Sequence, residues 1–264
     1  MYQTDKIKRV VIKIGTSTLT HENTGRLDLR HLELLARVLS DIKNMGIDVV
    51  LVTSGAIGVG MSKLGMTVRP KELRYKQAAA SVGQCELMHI YDKFFLDYSQ
   101  VVGQILITKS DIVEPERRGK VEDTFEALFE VDAIPVVNEN DTTGVDEILF
   151  GDNDTLSAMV AASVGADCLV LLSDIDGLYT ADPHKCADAK LIHKVEELTP
   201  EIMALAGDAG SALGTGGMKT KLHAAELCRD ANCEMVILNG AEPNLLYDLF
   251  EGKEVGTRFF AKGE

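Results

Sequence analysis

The chain has 264 residues, of which 45% are hydrophobic and 26% are charged, and its formal net charge is -14. This composition is ordinary for a globular protein with a large core, whereas so negative a chain is a poor binder of nucleic acid. No apolar run approaches the about 20 residues that a membrane helix needs, and the polar residues 1–9 do not resemble a signal peptide. We therefore expect a cytoplasmic protein that binds neither membranes nor nucleic acid.

Short apolar runs alternate with helical patterns along the chain. Near-continuous Val, Ile and Leu content is typical of parallel strands covered on both faces. It predicts strands at residues 10–14, 49–53, 103–107, 134–137, 168–172 and 235–238. Apolar spacing predicts helices from Leu32 to Ile42, over most of 71–98, and from Leu156 to a stop before Gly165. The alternation predicts an open α/β sheet in a single domain.

A basic cluster and a glycine-rich stretch lie outside these predicted elements. Arg117, Arg118 and Lys120 form the main basic cluster, but acidic residues flank them, which favours a solvated helix start. Residues 205–220 contain five glycines and are interpreted as a mobile loop. The five scattered cysteines contain no CxxC pair, so no disulfide framework is indicated. The six histidines contain no HExxH pair, so no zinc site is indicated either.

The predicted strands end in small or polar residues, and this pattern recurs at five of them. In chain order these residues are Gly15 and Thr16, Ser54 and Gly55, Asn138 and Asp141, Ser173 and Asp174, and Asn239. One such end would be ordinary turn chemistry. Because ligands of open α/β sheets bind beyond the carboxyl ends of the strands, five together predict a ligand crevice.

Lys13 lies inside the first apolar strand, between Ile12 and Ile14. Buried lysines are rare unless they are paired. Either the side chain reaches water at the strand edge, or it is a cation directed at phosphate, assisted by backbone N–H groups of Gly15 and Thr16.

Two further polar segments flank predicted helices. Gly151-Asp152-Asn153-Asp154 opens the third helix. A helix cap needs only one such residue, so the others suit the orientation of lysines, a metal-bound nucleotide or an amino group. The glycine-rich stretch runs into Lys219 and Lys221 and matches neither a Walker A nor a GxGxxG pattern.

Several of these segments carry a resemblance that covers nearly the whole chain. They are VIKIGTS at 11–17, LVTSGAIGVG at 51–60, VNEND at 137–141, GDND at 151–154, LLSDIDGLYTADP at 171–183 and GTGGMKTK at 214–221. Together they resemble the glutamate kinases of the amino-acid kinase family. The resemblance implies a three-layer αβα sandwich with a mostly parallel sheet, an amino-acid-binding lobe at 1–165 and a nucleotide-binding lobe at 166–264. It also implies that the C-terminal PUA domain carried by many members is absent.

The implied reaction is ATP-dependent phosphorylation of the side-chain carboxylate of L-glutamate, the first step of proline biosynthesis, with Mg²⁺. Lys13 and Lys221 look like the lysines that neutralise the transferring phosphoryl group, and Asp154 like the aspartate that holds both. The implied glutamate-binding residues are Ser54, Gly55, Asn138, Asp141, Asp152 and Asn153. The implied nucleotide-binding residues are Lys13, Gly15, Thr16, Ser173, Asp174, Thr215, Gly216, Gly217, Met218, Lys219, Thr220 and Lys221. Lys219 has less weight because it occupies a variable position of the motif.

The resemblance also implies a homo-oligomer and feedback inhibition by proline. Two alternatives stay open. A sister kinase acting on N-acetylglutamate or UMP would share the sheet and Lys13, but VNEND and GDND argue against it. A catalytically inactive amino-acid sensor would not need an intact Lys13, Asp154 and Lys221.

Overall fold

The computed structural model describes residues 7–21, 24–144, 153–183, 185–186, 188–206 and 217–262. The strands in these ranges are β1 Arg9–Ile14, β2 Asp48–Val52, β3 Val101–Ile107, β4 Ala133–Glu139, β5 Cys168–Ser173, β6 Leu178–Tyr179, β7 Leu191–Ile192, β8 Lys194–Val195, β9 Glu234–Asn239 and β10 Thr257–Phe259. The helices are α1 Thr16–Leu19, α2 Leu29–Asn44, α3 Ala56–Lys63, α4 Leu73–Leu96, α5 Lys109–Val113, α6 Pro115–Glu130, α7 Asn153–Ser163, α8 Pro200–Ala204, α9 Met218–Asp230 and α10 Leu245–Phe250.

Eight strands form one sheet in the order β3-β4-β2-β1-β5-β9-β10-β8, and β6 pairs with β7 in a separate ribbon. Pairing is parallel from β3 to β9, and β10 then runs antiparallel to β9. The strand β1 lies between β2, which follows it, and β5, which comes much later in the chain. The chain therefore adds strands on one side of β1 first and on the other side later, so the strand order reverses at β1. Open α/β sheets bind ligands at such a point.

The two faces of the sheet are covered by separate layers of helices. Alternate residues of β1 point to opposite faces, as the period of a strand requires. Ile12 packs in the core that includes α2, α4 and α10, whereas Val11 packs in the core that includes α6, α7 and α9. The predicted three-layer αβα sandwich with a mostly parallel sheet is confirmed.

Helices α3 and α4 pack backbone to backbone beside the end of β2. A Cβ added at Gly60 would lie 1.8 Å from the Ala79 carbonyl oxygen, and one added at Gly83 would lie 1.8 Å from the Ala56 carbonyl oxygen. Only glycine permits this approach. It fixes α4 against the start of α3, which follows the polar end of β2.

Most local predictions agree with the structure. The six predicted strands are present within two residues at each end, and the predicted helices correspond to α2, α4 and α7. The basic cluster lies in α6 and forms exposed ion pairs with neighbouring glutamates, so it is the expected solvated helix start. All five cysteines are free. No helix in the described ranges is long and apolar enough to span a bilayer.

Candidate active site

The polar strand ends meet at the carboxyl edge of the sheet, with Lys13 at the centre. Lys13 is paired in register with Val52 of β2 on one side and with Leu171 of β5 on the other. Its side chain is buried and does not reach out to bulk water, since the residue is only 9% exposed. Of the two readings of Lys13, the buried cation is the one that the structure supports.

Asp154 joins two lysines that are far apart in the sequence. Its Oδ1 accepts a hydrogen bond of 2.5 Å from Lys13 Nζ, and its Oδ2 accepts one of 3.0 Å from Lys221 Nζ. The Thr220 hydroxyl also donates to Oδ2 at 2.9 Å. Asp154 is 1% exposed and Lys221 is 6% exposed. The cluster is therefore a buried ion triad in which one carboxylate holds two ammonium groups.

The charge balance of this triad favours an incoming anion. Burial alone would raise the pKa of the Asp154 carboxyl, but the charges of Lys13 and Lys221 hold that pKa well below its usual range. Asp154 is thus ionised, and two ammonium groups against one carboxylate leave a net charge of about +1 in a site of low dielectric. Such a site attracts phosphate oxygens.

The residue before Asp154 belongs to a second cluster, built from neutral amides and a hydroxyl. Asn153 Nδ2 donates to the Thr53 carbonyl oxygen at 2.7 Å, to Ser54 Oγ at 2.8 Å and to Asn138 Oδ1 at 3.2 Å. Asn138 is 2% exposed. The ends of β2 and β4 and the start of α7 are tied together by these bonds. Because Asn153 and Asp154 are consecutive, the amide cluster and the ion triad are adjacent.

Asp141 and Gly55 are close in sequence to members of this second cluster, since Asp141 follows Asn138 by three residues and Gly55 comes directly after Ser54. Burial raises the pKa of Asp141 to about 6, and the nearby Arg69 charge opposes this shift. Gly55 caps the start of α3 with a φ of 93°, in the left-handed region that favours glycine. Asp141 is half-buried, and Gly55 has a conformation that other residues would strain to adopt.

The predicted nucleotide side lies at the ends of β1 and β5 and at the start of α9. Ser173 is buried, and its hydroxyl donates to the exposed Asp174 at 3.1 Å. Gly217 caps α9, whose first turn contains Met218, exposed Lys219, Thr220 and buried Lys221. Gly15 and Thr16 follow β1 directly. Asp152, Thr215, Gly216 and most of the predicted mobile loop lie outside the described residues.

The sequence did not single out three residues that support these clusters. Gln84 of α4 accepts from Asn138 Nδ2 at 2.8 Å, and Tyr91, two turns further along the same helix, shares a 2.7 Å hydrogen bond with Thr53. Asp176 accepts from Asn239 Nδ2 at 2.7 Å, which links the ends of β5 and β9. A glutamine on the apolar face of a helix was the one available signal for Gln84.

Comparisons with known proteins define the class of this chain. The model of the amino acid kinase family matches residues 8–239. The chain belongs to this family, and its predicted resemblance is confirmed.

The relatives among curated proteins are more specific. The chain is 53% identical over 260 residues to the glutamate 5-kinase of Clostridium perfringens (strain 13 / Type A), a match that covers 97% of this chain and 96% of that protein. It is 52% identical over 261 residues to the glutamate 5-kinase of Listeria innocua, covering 97% of this chain and 94% of the relative. The chain is therefore a phosphotransferase.

Solved structures of more distant proteins share the fold. The carbamate kinase from Giardia lamblia bound to AMP-PNP has a TM-score of 0.70 at 16% identity, covering 97% of this chain and 99% of that one. The UMP kinase from Bacillus anthracis has a TM-score of 0.64 at 18% identity, covering 97% of each chain. At such identities the likeness concerns the fold alone.

Proposed function

We propose that this enzyme transfers the γ-phosphoryl group of ATP to the side-chain carboxylate of L-glutamate, giving ADP and L-glutamyl 5-phosphate. The observation that carries the proposal is the junction at the start of α7, where Asn153 belongs to the amide cluster and Asp154 holds the two lysines. The acceptor and the phosphoryl group must meet at such a junction. Relatives at 52–53% identity are glutamate 5-kinases.

This phosphoryl transfer requires cations and correct positioning of the two substrates, but it requires no general base. A glutamate side chain has a reference pKa of ~4.3, so the nucleophile is already ionised at neutral pH. Two like charges about 4 Å apart repel by roughly 4 kcal/mol at an effective dielectric near 20. Lys13 and Lys221 offset this repulsion, and Asp154 holds both ammonium groups in place before the substrates bind. Their preorganisation stabilises the charge of the phosphoryl group as it transfers.

The amide cluster supplies neutral polar groups for the amino acid. Asn153 directs its Nδ2 towards Thr53, Ser54 and Asn138, so its Oδ1 lies on the opposite side of the amide, where it can accept from the α-ammonium group of glutamate. Asp141 supplies a carboxylate for the same group. We propose that residues 1–165 bind the amino acid and that residues 166–264 bind the nucleotide through Ser173, Asp174 and the start of α9.

Magnesium fits this site as an ion carried by the nucleotide. Within the described ranges, no three acidic, His or Cys side chains lie close enough to form a metal cage, and ammonium groups occupy both oxygens of Asp154. Mg²⁺ usually keeps several waters and binds substrate phosphates with one or two carboxylates. When bound, the ion neutralises charge on the β- and γ-phosphates.

An acceptor panel tests the proposal. Purified enzyme is incubated with ATP, Mg²⁺ and hydroxylamine, and with glutamate, N-acetylglutamate or UMP as acceptor. We expect hydroxamate and ADP to form in equal amounts, and only when glutamate is the acceptor. ADP formation with N-acetylglutamate or UMP as the better acceptor would establish a sister kinase. Glutamate binding without any turnover would establish the sensor.

Two expectations from the family complete the proposal. Proline, the end product of the pathway, should inhibit the enzyme, and the protein should be a homo-oligomer in the cytoplasm. Titration of proline at fixed glutamate and light scattering of the purified protein test these two expectations separately.

A further inference from the structure

Gln84 is a polar residue on the buried face of α4, among Ala80, Gly83 and Leu87, and it is only 8% exposed. Its Oε1 accepts a hydrogen bond of 2.8 Å from Asn138 Nδ2. Its Nε2 is buried and has no hydrogen-bond partner in the part of the chain that the structure describes. A buried donor without a partner destabilises a fold, so this glutamine needs an explanation.

The orientation of the Asn138 amide explains why the donor of Gln84 stays unpaired. Asn138 Oδ1 accepts from the Glu139 backbone N–H at 2.9 Å and from Asn153 Nδ2 at 3.2 Å. If the Asn138 amide flipped, its NH₂ group would face two donors. Asn138 Nδ2 must therefore point at Gln84, and Gln84 must present its oxygen there, which leaves its own NH₂ group without an acceptor.

Packing alone would favour an apolar side chain at this position. A methionine has a similar length and volume and would leave no unpaired donor at position 84 itself. We infer that Gln84 is a positioning residue for the amino-acid substrate, which fixes the Asn138 amide and, through it, the Asn153 amide. This inference rests on the proposed function, since Asn153 Oδ1 is the acceptor offered to glutamate.

The scaffold around Gln84 is suited to this role. The preceding residue, Gly83, touches the backbone of α3, because a Cβ there would lie 1.8 Å from the Ala56 carbonyl oxygen. Two turns further along α4, the Tyr91 hydroxyl bonds Thr53, whose carbonyl oxygen also accepts from Asn153. The helix therefore holds the ends of both β2 and β4, and the oxygen of Gln84 has little freedom to move.

The test is Gln84→Met. We expect the KM for glutamate to rise about tenfold, the size expected when one buried hydrogen-bond partner is lost, while the KM for ATP stays within about twofold. The thermal midpoint should change little, because the variant removes one unpaired donor at Gln84 and creates another at Asn138. An unchanged KM for glutamate, or an equal rise in both KM values, would overturn the inference.

The chain offers a matched control in Gln100, a second buried glutamine paired with an asparagine. Its Nε2 donates to Asn44 Oδ1 at 3.0 Å, near the amino end of β3 and away from the carboxyl edge of the sheet. Gln100→Met should leave both KM values unchanged. If Gln100→Met raised the KM for glutamate as much as Gln84→Met, the effect would be general loosening, and the positioning role would be wrong.

A conservative variant separates positioning from direct contact. Gln84→Glu keeps an oxygen for Asn138 Nδ2, so the KM for glutamate should return to within about threefold of the wild-type value. A KM above that of Gln84→Met would show that the NH₂ group of Gln84 binds the substrate, which contradicts the inference. Should Gln84→Met not fold, Gln84→Leu replaces it with the same expectation. Failure of the proposed function itself would be visible in the wild-type enzyme as absence of turnover with glutamate.

Discussion

The strongest prediction from the ion triad concerns Asp154→Asn, a substitution that removes the carboxylate charge and keeps the shape of the side chain. At an effective dielectric near 20, contacts of 2.5 Å and 3.0 Å correspond to attractions of about 7 and about 6 kcal/mol. Most of this attraction offsets the desolvation of three buried charges. Removing one partner from a buried ion pair therefore destabilises a protein by about 3–5 kcal/mol, which lowers the thermal midpoint by roughly 6–20 °C.

The same substitution should also reduce turnover. Without Asp154 the ammonium groups of Lys13 and Lys221 repel each other and lose their fixed positions, so kcat should fall by at least about 10²-fold. Thermal unfolding and steady-state kinetics at neutral pH measure the two effects on one preparation.

A surface ion pair of the same length provides the control. Lys43 Nζ lies 2.5 Å from Asp132 Oδ1, but the Asp132 side chain is 89% exposed. Asp132→Asn should cost at most about 1 kcal/mol and leave kcat unchanged, and the asparagine tolerates the positive φ of 60° at this position. If Asp154→Asn were as mild as Asp132→Asn in both stability and kcat, burial would not be decisive and the account of the triad would be refuted.

The pH dependence of this effect follows from the lowered pKa of Asp154. An acid whose pKa is depressed by folding stabilises the protein above its unfolded-state pKa, near 3.9, and loses this contribution as the pH falls through the folded-state pKa. The stability difference between wild type and Asp154→Asn should therefore be constant from pH 7 to about pH 5 and shrink below about pH 4. A difference that disappears at pH 6 would assign the effect to another group.

Three further predictions test other parts of the site and fold. Lys221→Ala should lower kcat by at least about 10²-fold, whereas Lys219→Ala, which removes an exposed side chain, should do much less; equal losses would show that both lysines contact phosphate. Because the pKa of Asp141 is raised to about 6, the KM for glutamate should rise as the pH falls below 6 and Asp141 loses its charge. Asp141→Asn should raise the KM for glutamate and flatten its pH profile, whereas a selective rise in the KM for ATP would assign Asp141 to the nucleotide site. Gly60→Ala, with its Cβ 1.8 Å from a backbone oxygen, should destabilise the protein by about 3 kcal/mol or more. Gly58→Ala in the same helix meets nothing within 4 Å and should be neutral or slightly stabilising. Similar thermal midpoints for the two variants would refute the tight packing of α3 on α4.

The central strands could be predicted because their apolar runs are covered on both faces. The continuous run around Ile12 indicates a buried parallel strand in any tertiary context. The short strands β6, β7, β8 and β10 have two or three residues each, too few for a periodic pattern. Their positions depend on pairing with distant segments, as in the contact of β10 with both β8 and β9.

The site was predictable in composition and less so in its connections. Lys13 stood out because a lysine inside an apolar strand contradicts local burial rules. Its bond to Asp154 spans 141 residues of sequence, and only the resemblance to a family pointed to that pair. Gln84 could not be assigned, because its meaning depends on the orientation of the Asn138 amide, which a linear sequence does not encode.

The central claim is that a carboxylate oxygen of glutamate attacks the γ-phosphorus of ATP, with Lys13 and Lys221 placed by Asp154 to stabilise the transferring group. The most direct measurement uses glutamate labelled with ¹⁸O in its side-chain carboxylate, ATP and Mg²⁺, with hydroxylamine as the trap. Hydroxylamine attacks the carbonyl carbon of the acyl phosphate and breaks its C–O bond, so the phosphate released takes the bridging oxygen. If the carboxylate oxygen attacks the γ-phosphorus, mass spectrometry will find one ¹⁸O atom in this inorganic phosphate. Unlabelled phosphate would mean that water attacked ATP, and the proposed transfer to the glutamate carboxylate would be wrong.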